Sequence, residues 1–350
     1  MRTIPCLLAC LSVALLASIA PAEEPKFIDP TPEQLKEAKE GFGKLNAEYI
    51  GGEVAPTDLM KHCFRLGNTT TDADLKRLPD IAFSFSLEFF DSKVTDVGLR
   101  ELKRLKNLTA IYFFDADITD AGLLQLSDFK QLTGLGLAGT RVTDFGLVHL
   151  KDLKQLMDLR LNRTRVTGVG FKELKNLQNL IRLDLTSARV TDAGLAELKE
   201  LKSITWLNLD STKITDAGVK ELKALKGLSV LGLDETDVTG TSLSDLRELE
   251  QLGLNFTKAS DVGLKGFGQL KNLKVLSLDS TNVTDVGVKE IVKLQNLTSL
   301  CLSGTKITDA GLRDLKSLKN LTRFFVTRSK NTDKGIMELQ QALPKCEIIR

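Results

Sequence analysis

The chain offers few groups that could carry out chemistry. His62 and His149 are its only imidazoles, so a Ser-His-Asp triad or a histidine-based zinc centre would have to form around one of them. Neither sits in a serine nucleophile elbow, a phosphate loop or a paired-cysteine metal motif. What does recur at regular spacing is the carboxylate: Asp96, Asp120, Asp144, Asp192, Asp216, Asp261, Asp285 and Asp309. Hard cations take oxygen ligands, so carboxylates stacked a strand spacing apart have the composition of a calcium ladder. Each of them also follows a threonine or serine and precedes a short helical pattern, where an aspartate serves as a helix cap. Capping accounts for the whole column, so the expected content is no metal, no cofactor and no catalytic residue, and the chain reads as a non-enzyme.

The aspartates belong to a repeat. Val190 to Leu195 reads Val-Thr-Asp-Ala-Gly-Leu, with close copies from Ile118, Ile214 and Ile307. The copies begin at 94, 118, 142, 166, 190, 214 and 238, a step of 24, then at 259 after a step of 21, and at 283, 307 and 331. A degenerate copy at Thr70 precedes them. A fixed period of this size signals a stacked repeat protein, and it takes priority over local secondary-structure signals.

Each unit has two halves. From Ile204, the Leu207-x-Leu209 segment alternates with period two and predicts a short strand with both leucines inward. Val219, Leu222 and Leu225 are spaced by three, as in a short helix burying one face on the strand layer. Thr215 or Asp216 suits its cap, and Gly218 leaves room for a neighbouring unit. Gly168 and Gly240 replace the aspartate in two copies. The short step after Val238 removes one helical turn while Leu243, Leu246 and Leu249 keep their spacing.

The flanks differ from the repeats. Arg2, the apolar run Leu7 to Ala20 and the small residues Ala20-Pro21-Ala22 have the pattern of a cleaved export signal, too short for a comfortable membrane span. Removing it leaves Cys63, Cys301 and Cys346, an odd number that excludes a fully paired disulfide framework. Thr31-Pro32-Glu33-Gln34 is a capping box opening a helix whose Leu35, Ala38, Phe42 and Leu45 share one face. That face would cover the open end of the stack. Leu343 to Ile349 reads as a last, capping strand. The expected organisation is a signal peptide at 1–22, a linker at 23–30, a helical N-terminal cap at 31–65 and the repeat domain at 66–350. The seven Asn-x-Ser/Thr triplets are mostly by-products of the Asn-Leu-Thr strand entry.

These positions resemble the leucine-rich repeat family at Leu-x-x-Leu-x-Leu-x-x-Thr-x-Val. The Thr-Asp-x-Gly-Leu continuation is similar to the subtype related to the cysteine-containing repeats of F-box proteins. Thr140, Thr164, Thr212, Thr236, Thr281 and Thr305 stand where that subtype has cysteine, and the form resembles repeats of exported planctomycete-type bacterial proteins. The resemblance implies an α/β solenoid, with parallel strands on a concave face and short helices on the convex face.

Function is then expected between the leucines, on side chains that alternate outward from the strands. Phe90, Tyr112 and Phe114 form one aromatic cluster, either exposed as an interface anchor or buried under the N-terminal helix. Asp158 and Arg160 follow. Asp184, Asp210, Asp234 and Asp279, with Trp206 at the edge, form an acidic stripe that suits a basic partner or is simply solvated. The 48 Lys and Arg residues against 46 Asp and Glu give a net charge of +2, which excludes a global pull toward nucleic acid or anionic membrane. The expected function is an exported module binding a protein or peptide ligand, secreted, periplasmic or held at the cell envelope. Its alternatives are a cell-envelope adhesion scaffold or, less readily, an F-box-like adaptor, against which the leader argues.

Overall fold

The Leu-x-Leu segments form strands because their leucines are buried on one side while the intervening residues face the other. In the computed structural model, which describes residues 27–51 and 62–350, two compact units divide the chain at Arg189 and Val190. The expected signal peptide lies outside the described residues, as does much of the expected linker.

In the first unit, helix α1 (Pro32–Gly43) carries the expected capping box: Gln34 N donates to Thr31 Oγ1, and Thr31 N donates to Gln34 Oε1. Ala38 and Phe42 are buried, and Phe42 stacks on Phe64 with ring centroids 3.9 Å apart. The helix therefore closes the end of the core with an aromatic plug. Strand β1 (Glu48–Gly51) pairs antiparallel with β2 (His62–Leu66), which pairs in parallel with β3 (Phe85–Phe90). The repeat sheet thus begins at His62, inside the stretch expected to be a helical cap. Strands β4 (Leu108–Phe114), β5 (Gly134–Ala138), β6 (Asp158–Arg160) and β7 (Arg182–Asp184) continue it in parallel and in chain order.

The second unit holds β8 (Trp206–Asn208), β9 (Val230–Gly232), β10 (Gln251–Gly253), β11 (Val275–Ser277), β12 (Ser299–Cys301), β13 (Arg323–Phe325) and β14 (Glu347–Ile349), again parallel and in chain order. The last of these lies within the segment Leu343 to Ile349 and pairs only with β13 among the described residues. The short repeat is absorbed on the helix side: Val230 still pairs with Gln251, and residues 239–250 form turns in place of a helix. Leu243, Leu246 and Leu249 remain buried there. Each buried leucine contributes roughly 2 kcal/mol, most of which the ordering of its short repeat offsets, so the stack is stable only collectively.

The Thr-Asp-x-Gly motif has a different role from the one expected of its aspartate. The threonine caps the helix: Thr119, Thr215, Thr284 and Thr308 each accept the amide two residues on. The aspartate reaches instead into the next repeat. Asp192 takes Thr215 N at 2.8 Å and Thr215 Oγ1 at 2.7 Å. The same two bonds join Asp72 to Thr95, Asp96 to Thr119, Asp120 to Thr143 and Asp144 to Thr167. In the second unit they join Asp216 to Thr239, Asp261 to Thr284, Asp285 to Thr308 and Asp309 to Thr332. The motif is a clasp between neighbours. Its glycine follows from this, because a Cβ on Gly218 would lie 2.5 Å from Asp192 Oδ1, and one on Gly311 2.5 Å from Asp285 Oδ1. Where Gly240 replaces the aspartate, backbone packs on backbone: a Cβ on Gly263 would lie 1.7 Å from Thr239 O.

The other repeated polar residues are similarly spent. Thr140, Thr164, Thr212, Thr236, Thr281 and Thr305 are buried, and each hydroxyl donates to the carbonyl three residues back at 2.5–2.7 Å. Buried hydroxyls need such partners. Asn107, Asn296 and Asn320 each donate Nδ2 to a carbonyl of the preceding repeat at 2.8–2.9 Å, which explains the Asn-Leu-Thr strand entry.

Candidate binding faces

The side chains that vary stand on the strand face away from the helices. At the start of the first unit, Phe90 is 47% exposed and packs against the half-buried Phe114, their centroids 5.1 Å apart. The Arg65 guanidinium lies 5.9 Å from the Phe90 ring, and its Nε bonds Glu88 Oε2 at 2.9 Å. Arg65 was missed in the sequence because β2 fell inside the expected cap. An aromatic pair with a cation over one ring combines apolar surface with a charged edge, the composition found at interface anchors.

Tyr112 does not join this pair. It is fully buried, but by the sheet's own residues rather than by α1: its ring lies over Gly134 and Gly136 of β5. A Cβ at Gly134 would meet Tyr112 Oη at 2.3 Å, and one at Gly136 would meet its ring at 2.5 Å. The two glycines let the tyrosine cross β5 and donate its hydroxyl to Asp158 Oδ2 at 3.2 Å. Arg160 bonds the same carboxylate through Nε at 2.9 Å and covers the Tyr112 ring, its guanidinium 4.6 Å from the centroid. Arg182 Nε lies 3.7 Å from Asp158 Oδ1. Burial and the Asp158 carboxylate raise the Tyr112 phenol well above its ordinary value. Burial alone would lower the Arg160 guanidinium, but Asp158 and Tyr112 outweigh it and hold it above its ordinary value. Both groups stay protonated at any physiological pH. Asp184 is half-buried and accepts N and Oγ1 of Thr186 within its own turn.

In the second unit the acidic positions form a row. Asp210 Oδ1 accepts Asp234 N at 2.7 Å, Asp234 Oδ1 accepts Asn255 N at 2.8 Å, and Asn255 Oδ1 accepts Asp279 N at 2.8 Å. Asp279 Oδ1 then accepts Ser303 N at 2.7 Å. Each side chain thus holds the backbone of the next strand. Asp234 is 8% exposed, and Asn255 Nδ2 bonds its second oxygen at 2.8 Å. Burial pushes the Asp234 carboxyl up to about 7, with Asp210 adding to it and the Asn255 hydrogen bonds opposing. Asn255 is what makes the row continuous, although its type hid it among the acidic positions. Trp206, half-buried, opens β8 on the same face as Asp210.

His62 Nδ1 pairs with the Tyr49 hydroxyl at 2.8 Å, and His149 lies on a short 3₁₀ turn, Gly146–Leu150. Among the described residues no group of three or more His, Cys, Asp or Glu is placed to hold a metal ion, and no helix is long and apolar enough to cross a membrane. Cys63, Cys301 and Cys346 are buried, and burial pushes the Cys63 thiol up to about 12.

Comparison with known proteins agrees with this geometry. Residues 176–199 and 247–307 match models of the leucine-rich repeat. A search of curated proteins gave no match. Among solved structures, an internalin from Listeria monocytogenes is similar at 20% identity and a TM-score of 0.63, covering 96% of this chain and 98% of that one. A leucine-rich repeat protein from Leptospira interrogans is similar at 22% identity and a TM-score of 0.57, covering 81% of each chain. The period, the strand register and these matches lead to one conclusion: the fold is the α/β leucine-rich repeat solenoid, and the chain carries leucine-rich repeats.

Proposed function

We propose that the chain is an exported, non-enzymatic module that holds a protein or peptide on the strand face of its repeats. Leucine-rich repeat proteins mediate protein–protein interactions. The observation that carries the reading here is the division of labour within each repeat. Asp, Gly, Thr and Leu positions are consumed by the stack, whereas Phe90, Phe114 and Trp206 differ from strand to strand and keep exposed surface. An exposed aromatic pair has no structural task in the stack and costs solubility unless a partner covers it. Export rests on the N-terminal pattern of Arg2, Leu7 to Ala20 and Ala20-Pro21-Ala22.

The test is affinity capture with the chain from Glu23 onward, in wild-type form and with two reshaped faces, Phe90→Ser/Phe114→Ser and Trp206→Ala/Asp210→Asn. Mass spectrometry should identify a partner whose capture is lost with at least one reshaped face. Undiminished capture by both variants would overturn the reading. Cell fractionation tests export: an unprocessed cytoplasmic protein contradicts it.

A further inference from the structure

We infer that the edge of the first unit where its short helices begin rests on an anionic lipid surface. Phe145 and its apolar neighbours enter the interface, and the flanking cations meet the headgroups. This edge is separate from the strand face and does not rest on the reading above. The large apolar residues left in water along it are not scattered. Val97, Leu124, Phe145 and Val169 are each more than half exposed, Phe145 most of all at 85%. Val97, Phe145 and Val169 fill the variable place before the motif glycine, and Leu124 lies one turn beyond that place in its own repeat. The clasps from Asp96 to Thr119, Asp120 to Thr143 and Asp144 to Thr167 hold successive motifs side by side. The elements that follow the motifs, Gly98–Arg104, Asp120–Leu126, Gly146–Leu150 and Phe171–Leu174, pack in that order. The four residues therefore form one row along the stack. Single exposed apolar residues are ordinary, but an aligned row marks an interaction surface.

Cations flank the row. Arg100, Arg165, Lys172 and Arg189 are exposed and make no ion pair among the described residues. Arg165 and Lys172 bracket Val169 in sequence, and Arg100 lies one turn after Val97. The carboxylates of the same segments are spent: Asp96, Asp120 and Asp144 in the clasps, and Asp117 on Arg141 at 3.0 Å. Gly168 stands where the next clasp aspartate would be, which removes a negative charge where the cations gather. The net charge of +2 averages this asymmetry away.

Shape selects the occupant. Phe145 protrudes, so the occupant must provide the apolar medium that the row enters. A bilayer interface provides it along the whole row without a matched pocket, and aromatic or aliphatic side chains beside arginine and lysine have the composition of interfacial anchors. Anionic headgroups complement the cations. A second copy of this chain would bring the same cations against them and be repelled.

The test is flotation of the chain from Glu23 onward, which omits the apolar run Leu7 to Ala20. The vesicles are phosphatidylcholine alone or with about 30% phosphatidylglycerol. The mixed vesicles should carry the protein upward, and raising salt from about 50 mM to about 300 mM should release it. Phe145→Ser/Val169→Ser and Arg165→Glu/Lys172→Glu change exposed side chains only, so circular dichroism and melting should match wild type. Each variant should need about tenfold more lipid for half-maximal binding. Phe90→Ser/Phe114→Ser, on the strand face, should float as wild type does. No binding to mixed vesicles, equal binding to neutral ones, undiminished binding by either edge variant, or an equal loss with the strand-face variant would each overturn the assignment. Loss of a protein partner by the edge variants, in a chain that ignores anionic vesicles, would overturn it in favour of an acidic protein surface.

Discussion

Tyr112 and Asp158 stand on β4 and β6, and the tyrosine hydroxyl reaches the carboxylate across the whole width of β5. Gly134 and Gly136 make this possible, and Arg160 closes over the ring. Three strands are thereby tied through one buried carboxylate. Tyr112→Phe should cost about 1.5–3 kcal/mol, the range for a hydrogen bond to a charged group. Gly136→Ala should also destabilise by forcing the ring off β5, and Tyr112→Ala should absorb most of that cost when the two are combined. Urea denaturation of the two singles and the double measures this coupling; additive effects would contradict the packing described.

The aspartate clasp predicts a second pattern. Asp285 takes Thr308 N, Thr308 Oγ1 and Gly311 N. Asp285→Ala leaves these donors without their acceptor and should cost about 2 kcal/mol. Thr308→Val removes one donor and should cost about 1 kcal/mol. Hydrogen exchange should speed up most at Thr308 and Gly311, in the repeat after the mutation. Acceleration confined to the helix Asp285–Ile291 would mean that the aspartate caps its own helix after all.

Stability should depend on pH in two windows of opposite sign. Asp234 has a folded pKa of about 7, raised by burial, by Asp210 and, after the opposing Asn255 bonds, by Asp279. Above its unfolded value of about 4 the unfolded chain releases this proton while the folded chain keeps it. Stability from this group is therefore full below that value and is lost as pH rises toward 7. Clasp aspartates act the other way. Hydrogen bonds from Thr332 hold the Asp309 carboxyl below its ordinary value. Burial alone would raise Asp216, but bonds from Thr239, Thr241 and Gly240 bring it below as well. Their contribution is present above the ordinary aspartate value and is lost as pH falls below it. Denaturation midpoints between pH 2 and 8 should rise and then decline. Asp234→Ala should flatten the decline, and a carboxyl resonance of Asp234 titrating near 4 would refute the assignment.

The exposed aromatic pair separates binding from folding. Phe90→Ser should change stability by less than about 1 kcal/mol, because almost half of its surface is already in water. Phe89→Ser, one residue earlier but fully buried and stacked on Phe113 at 5.0 Å, should cost about 3–5 kcal/mol. Thermal melts of the two variants make the comparison, and equal losses would show that Phe90 is part of the core.

The repeat period, the Leu-x-Leu alternation and the Thr31 capping box were legible in sequence because they are local or periodic. Leucine burial depends only on which residues alternate, and a helix cap only on residues three apart. That was enough to determine the α/β stack, its strands and most of their register. The sequence also separated the constant positions from the variable ones. Only the tertiary structure decided what those positions touch. Asp192 and Thr215 are 23 residues apart, and only the rise of one repeat onto the next makes them partners. Alternation groups Tyr112 with Phe90 and Phe114 on one face, and leaves open whether the cluster is exposed or buried under the N-terminal helix. Tyr112 is buried because two glycines one strand away leave space for its ring and a carboxylate two strands away accepts its hydroxyl. Alternation assigns a side chain to a face; the residues on neighbouring strands determine whether it is left in water.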